Sequence, residues 1–168
     1  MDERPPATPV AASFDEFFRA EYRRVVALAA VLCGRAAVAE ELAQDAFVSA
    51  YRHWERVRTY DDAGAWVRRV VVNLATSSLR RRSREARALA RLASRREVAV
   101  AMPAITDDFW SAVRALPRRQ AQCIALRYLE DRSVDEIAAV LEIAPATVRV
   151  HMHAARQTLA TALDEETT

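Results

Sequence analysis

Charged and aromatic side chains are grouped along this chain in ways that suit binding, and none of the groups is equipped to make or break a bond. Residues 68–96 hold ten Arg against one acid, Glu85, a local balance of 10 − 1 = +9. Like charges at that density repel unless an anion neutralises them, and a phosphate backbone is such an anion. The alternative is a solvated helix end, where Arg is also favourable. Just upstream, Tyr51, Trp54, Tyr60 and Trp66 are mixed with Arg52, Arg56, Arg58, Arg68 and Arg69. Rings that stack on unpaired bases beside cations that hold the backbone suit single-stranded DNA. Trp54 and Trp66 fall on inner helical stripes and are expected in the core. Residues 58–64 (RTYDDAG) read as a loop, and Tyr60 and the loop arginines are the better candidates for contact.

Glu40, Glu41, Gln44 and Asp45 form an acidic helical face. They have no nearby His or Cys to complete a metal site, and no nucleophile or Gly-rich phosphate loop beside them. Such a face either docks a basic partner helix or is simply solvated. His151 and His153 stand two apart on a helix and point in different directions, so they cannot share one metal well. No catalytic constellation, cofactor motif or small-molecule site is expected, and the chain reads as a non-enzyme.

A fourth group depends on geometry. In "SVDEIAAVLEIAPATVRV" (133–150) the apolar rhythm is helical, yet Pro145 sits inside it. Proline within a helix costs about 3 kcal/mol, but at a first turn its missing N–H is no loss. Ser133 and Glu136 have capping-box spacing. The stretch therefore predicts a helix over 134–141, a turn at 142–144 and a second helix from Pro145 to about Ala162. Two short helices joined in this way form a helix-turn-helix, whose second helix enters the major groove. An αα-hairpin used only for packing has the same pattern. Ala146, Arg149, Val150, His153 and Arg156 face outward near the start of the second helix. Arg matches guanine O6 and N7 with its two-pronged guanidinium.

These groups need helices to carry them, and the composition supplies helix formers. The chain has 168 residues with 2 Gly and 6 Pro, and strand punctuation is scarce. All 25 basic residues are Arg, and the net charge is +2. Residues 1–12 read as a disordered tail. Ser13 opens a helix that Gly34 ends, with Phe14, Phe18, Tyr22, Val25, Ala29 and Leu32 as its apolar stripe. A second helix is expected over about 38–57, with Ala43, Phe47, Ala50, Trp54 and Val57 inside. A third starts near Ala65, with Val67, Val71, Leu74 and Ser78 inward and Asn73, Ser77, Arg80 and Arg84 on another face. Residues 97–106 read as a linker, residues 108–115 and 117–129 as further helices, and 164–168 as a tail. The expectation is an all-α chain of two small domains, 13–96 and 107–163. Cys33 and Cys123 sit in apolar patterns and are expected as buried, reduced thiols. No signal peptide or membrane-spanning run is present, so a cytoplasmic protein without membrane insertion is expected.

The order of these parts carries a resemblance that no single part does. "AEELAQDAF" (39–47) precedes "YRHWERV" (51–57) and "AWVRRVVVNLATSSLRRR" (65–82). "LPRRQAQCIALRYLEDRSVDEIAAVL" (116–141) and "TVRVHMHAARQTL" (147–159) follow. The chain resembles extracytoplasmic-function (ECF) sigma factors of the sigma-70 type, with regions 2 and 4 only, and its phrasing is closest to actinobacterial members. The resemblance implies a region 2 helical bundle and a region 4 helix-turn-helix joined by a flexible linker. It implies that Glu40, Glu41, Gln44 and Asp45 dock on the β′ clamp helices of core RNA polymerase. Arg56, Arg58, Tyr60, Asn73, Ser77, Arg80, Arg81 and Arg84 would read and melt the −10 promoter element. Thr147, Arg149, Val150, His153 and Arg156 would read the −35 element. It also implies control by an anti-sigma factor. The sequence departs from the family at Val38, Glu142, Ala144 and Val150. Glu142 replaces the usual turn glycine, and a non-Gly residue at positive φ costs energy. The competing expectation is a helix-turn-helix regulator that binds duplex DNA without polymerase.

Overall fold

The computed structural model describes residues 13–89 and 107–165; for 79–89, 107 and 164–165 only the backbone is described. The expected tail at 1–12 and linker at 97–106 lie outside these residues. Every element among the described residues is a helix: α1 (Phe14–Cys33), α2 (Ala36–Arg52), α3 (Trp54–Val57), α4 (Ala63–Leu89), α5 (Asp107–Ala115), α6 (Arg118–Tyr128), α7 (Val134–Leu141) and α8 (Pro145–Glu165). None is long and apolar enough to cross a membrane.

The ends of α1 follow from local chemistry. The Ser13 hydroxyl accepts from the Glu16 amide at 3.3 Å, and Gly34 takes φ 73°, which a side chain would resist. The buried stripe of α1 is Phe17, Glu21, Val25, Leu28 and Leu32, one residue out of phase with the expected one in its first half. Phe14, Phe18 and Tyr22 are half-buried instead. They join Phe17, Phe47, Tyr51 and Trp54 in a ring cluster, with Phe18–Phe47 edge-on at 4.9 Å. The helix expected over 38–57 breaks at His53, whose ring bonds back to the Ser49 carbonyl at 2.8 Å. The chain resumes as the single turn α3. Small buried residues on α2 (Ala39, Ala43, Ala46, Ala50) let it lie close against its neighbours. The Asp62 carboxylate caps α4 by accepting from the Ala65 amide at 2.8 Å.

The second group of helices is close to the expectation. Ser133 and Glu136 form a complete capping box at α7. Pro145 opens α8, and Glu142 takes φ 53° in the turn between them. A residue with a Cβ thus occupies the left-handed region that the usual glycine would fill at less cost. Ile137, Val140, Val148, Met152, Ala155 and Leu159 close the corner between α7 and α8.

The two groups do not stand apart. α1 packs on α5 and α6, α4 packs on α7, and the buried apolar residues of both form one continuous core. Arg68, expected among the DNA-facing cations, is fully buried in the seam, between Glu21 and Glu130. Gly64 makes room for it. A Cβ there would lie 2.5 Å from Arg68 Nη1.

Cys33 and Cys123 are buried and unpaired with each other, as expected. Burial pushes the Cys123 thiol up to about 11, against the opposing pull of Arg119. Burial also raises Cys33, partly offset by the hydrogen bond it donates to the Arg35 carbonyl. At pH 8 about a thousandth of the Cys123 thiols are ionised. A disulfide reagent such as DTNB is therefore expected to leave both cysteines unmodified over minutes in the native protein. It should titrate both at once in guanidinium chloride. Fast reaction in the native state would contradict the burial.

Candidate functional site

Three surfaces carry the residues singled out in the sequence. The first is the outer face of α2. Its inner face is committed to the core through Ala39, Ala43, Ala46 and Phe47, so Glu40, Glu41, Gln44 and Asp45 all point to solvent. Among the described residues no ion pair engages Glu40, Glu41 or Asp45. The face continues into Val48 and Tyr51, exposed by 48% and 66%. Two exposed apolar side chains thus stand beside the acidic row. In the sequence Tyr51 suggests only base stacking. Val48 gives no sign of itself there, because at i+3 from Asp45 it reads as one more variable position.

The second surface surrounds the 58–62 segment and α4. Arg56, Arg58 and Tyr60 are exposed, and Arg58 pairs loosely with Glu55 at 3.4 Å. Trp54 and Trp66 are half-buried against the core, as expected. On α4, Ser77 is exposed. Asn73 is not free: its Oδ1 accepts from Arg118 of α6. Arg80, Arg81 and Arg84 continue the same helix, and their side chains lie outside the described residues. The strip expected as one surface is thus open at Ser77 and occupied at Asn73.

The third surface is the start of α8. Val148 is fully buried, which turns Thr147, Arg149 and Val150 outward; His153 and Arg156 follow one and two turns on, also exposed. Val150, a β-branched apolar residue, is 65% exposed and suits contact with a thymine methyl. Behind this row lies an open cleft lined by Arg127, Ser133, Val134, Arg149, Met152 and Arg156. Arg127 donates to the Arg132 carbonyl at 3.1 Å, and Arg156 Nε donates to the Tyr128 hydroxyl at 3.2 Å. Three guanidinium groups therefore line one cleft beside the N-terminus of α7. Sequence reasoning misses Arg127, since it lies on α6 and reaches the cleft only through the packing of α6 on α8.

Glu136 stands at this same N-terminus. Burial would raise its carboxyl, but hydrogen bonds from Ser133 and the nearby Arg132 outweigh that and hold it below the usual value. A depressed carboxyl contributes stability above its unfolded pKa, and that contribution is lost as pH falls through the folded value. The cap therefore loosens in acid only.

An exposed acidic and apolar strip on α2 of the first helical group is thus followed by a helix-turn-helix with a cationic row at the start of α8. The chain matches the family model for sigma-70 region 2 over residues 17–85 and that for sigma-70 region 4 over 106–159. It belongs to the sigma-70 family, within its ECF group. Similar chains include the ECF RNA polymerase sigma factor SigE of Mycolicibacterium smegmatis, 29% identical over 160 residues, which is 88% of this chain and 60% of the relative. The RNA polymerase sigma-E factor of Streptomyces antibioticus is 30% identical over 118 residues, 70% of this chain and 66% of the relative. That of Streptomyces coelicolor is 28% identical, covering 84% of this chain and 81% of the relative. The chain thus spans about two thirds or less of the length of the first two. The fold is shared with the sigma factor RpoE of Bartonella quintana, solved in complex with the anti-sigma factor NepR. That match has TM-score 0.72 and 23% identity, over 90% of this chain and 96% of that one. It is also shared with CnrH, solved with the cytosolic domain of CnrY, at TM-score 0.65 and 20% identity, over 93% and 92% of the two chains.

Proposed function

We propose that this chain is a promoter-specificity subunit of bacterial RNA polymerase. The observation that carries the reading is one chain presenting both an exposed acidic-apolar strip on α2 and a cationic, groove-sized helix start on α8. A duplex-only regulator needs the second and has no use for the first. The α2 strip docks on a basic helical surface of the core enzyme, the β′ clamp helices. Thr147, Arg149, Val150, His153 and Arg156 read the −35 element from the major groove. Arg56, Arg58 and Tyr60, with Asn73, Ser77, Arg80, Arg81 and Arg84, read and open the −10 element. Opening needs no bond chemistry from this chain. Trapping an unpaired base near residues 58–64 offsets an unstacking cost of a few kcal/mol, and cations along α4 hold the separated strand by its phosphates. The partners are core polymerase, promoter DNA and an anti-sigma protein that covers these surfaces, and the protein acts in the cytoplasm. RpoE and CnrH, which share its fold, were each solved with a bound polypeptide, and that supports the last partner.

Run-off transcription with purified core polymerase over a genomic library tests the reading. Initiation at a limited set of promoters is expected only when the chain is added. Specific duplex binding without any gain in transcription would favour the regulator instead.

A further inference from the structure

The cleft behind the exposed row of α8 gathers three cations from two helices. Arg127 comes from α6, Arg149 and Arg156 come from α8, and Val134 and Met152 supply an apolar floor. Its volume is about 390 Å³, within the range of sites that hold small molecules. Like charges gathered in this way repel one another unless an anion lies between them.

The protein does not supply that anion. Arg127 donates to the Arg132 carbonyl at 3.1 Å, and Arg156 Nε donates to the Tyr128 hydroxyl at 3.2 Å. Both acceptors are neutral, so they orient the two guanidinium groups without cancelling their charge. A guanidinium has five N–H donors, and most remain for a ligand. Side chains already held lose less freedom when a ligand binds. Arg149 is exposed and has no ion-pair partner among the described residues. The nearest carboxylates are turned elsewhere. Glu136 accepts from the Ser133 amide at 2.8 Å and from Arg132 at 3.3 Å. Asp131 reaches Arg127 only at 3.5 Å, and its side chain is 95% exposed. Neither lines the cleft.

The three cations form a row, not a point. Arg149 and Arg156 are two turns apart on α8, about 10 Å along the helix axis, and Arg127 faces them from α6. A row of that length suits a chain of phosphates better than a single one. We propose that this cleft binds a free polyphosphate, a phosphoanhydride chain either bare or carried by a nucleoside, and that its occupancy shuts off −35 reading. The bound chain withdraws Arg149 from the base edges and takes up Arg127 and Arg156, which a DNA backbone would otherwise use. The inference rests on the proposed promoter reading only for what occupancy blocks; the anion site itself stands on the cleft.

The test titrates the full chain by calorimetry with inorganic tripolyphosphate and, separately, with ATP. Divalent cations are left out, and ionic strength is held constant with KCl. A single site per chain is expected. Arg127→Gln and Arg156→Gln, on different helices, should each weaken tripolyphosphate binding about tenfold, and thermal melts check that both variants fold. Anisotropy of a fluorescein-labelled −35 duplex library reads the competition. At about ten times its own dissociation constant, tripolyphosphate should raise the apparent Kd for the duplex about tenfold, and KCl of equal ionic strength should not. Tighter binding of ATP assigns a nucleotide as the source of the chain, with its base on Val134 and Met152; equal binding assigns a bare chain. Failure of both probes to bind, or binding undiminished in both Arg variants, would overturn the cleft. Binding weakened in both variants with no effect on the duplex would sink the shut-off. If tripolyphosphate binds at the cleft and no duplex binds at all, the anion site stands and the −35 assignment of α8 falls.

Discussion

Glu41→Arg with Asp45→Arg is expected to abolish co-elution of this chain with core RNA polymerase while leaving its fold intact. Both residues are exposed on α2, one turn apart, and neither has an ion-pair partner among the described residues. The packing of α2 rests on the opposite side, on Ala39, Ala43, Ala46, Phe47 and Ala50. Surface changes away from such packing usually alter stability by about 0.5 kcal/mol or less, so the thermal melt should stay near that of wild type. Binding should not. The double change shifts the local charge by +4, and like charges placed against a basic partner cost several kcal/mol. An affinity loss of about a hundredfold or more is expected, partly relieved at high salt as screening shortens the repulsion. Gel filtration and anisotropy titration with labelled protein read it. Undiminished binding would remove α2 as the docking element, and Val48 and Tyr51 would then need another explanation for their exposure.

The helix-turn-helix was legible almost to the residue, because its signals are local and mutually consistent. Ser133 and Glu136 start α7, Pro145 can only start a helix, and three residues between them leave no other arrangement. Glu142 was legible as a misfit, and its φ of 53° is what the misfit meant. The seam was not legible, for a physical reason. Its contacts join residues 62, 45 and 46 positions apart, and no periodicity within either partner marks them. Arg68 sits in a run of arginines and takes on their expected role. The one local sign is Glu21. A carboxylate between Phe17 and Val25 on a buried helical stripe must find a cation, and that demand alone points to a buried Arg. The α4 strip was half legible for the same reason: Asn73 and Ser77 do share a face, but what holds Asn73, Arg118, comes from α6, 45 positions on.

Arg149→Ala and Arg156→Ala should fail in different ways, and the difference tests how α8 sits on DNA. Arg149 is in the first turns of α8 with Val148 buried beneath it, the place from which a recognition helix reaches base edges. Removing a bidentate hydrogen-bond pair to a base there costs about 1–3 kcal/mol and relaxes preference at one position. Arg156 lies two turns further on, bonded to Tyr128 and lining the cleft with Arg127. A guanidinium held in that way is placed for a phosphate, which carries no sequence information. Its loss should weaken binding by a similar factor on every −35 sequence and reduce the slope of log K against log salt by about 0.9. Arg127→Ala should behave as Arg156→Ala does, although it is on a different helix. Binding of a −35 duplex library at several salt concentrations separates the cases. A base-preference profile for Arg149→Ala identical to wild type would place that side chain outside the groove. A shifted profile for Arg156→Ala would instead put the base-reading edge of α8 two turns deeper than its first turn, and the helix would have to enter the groove by its middle.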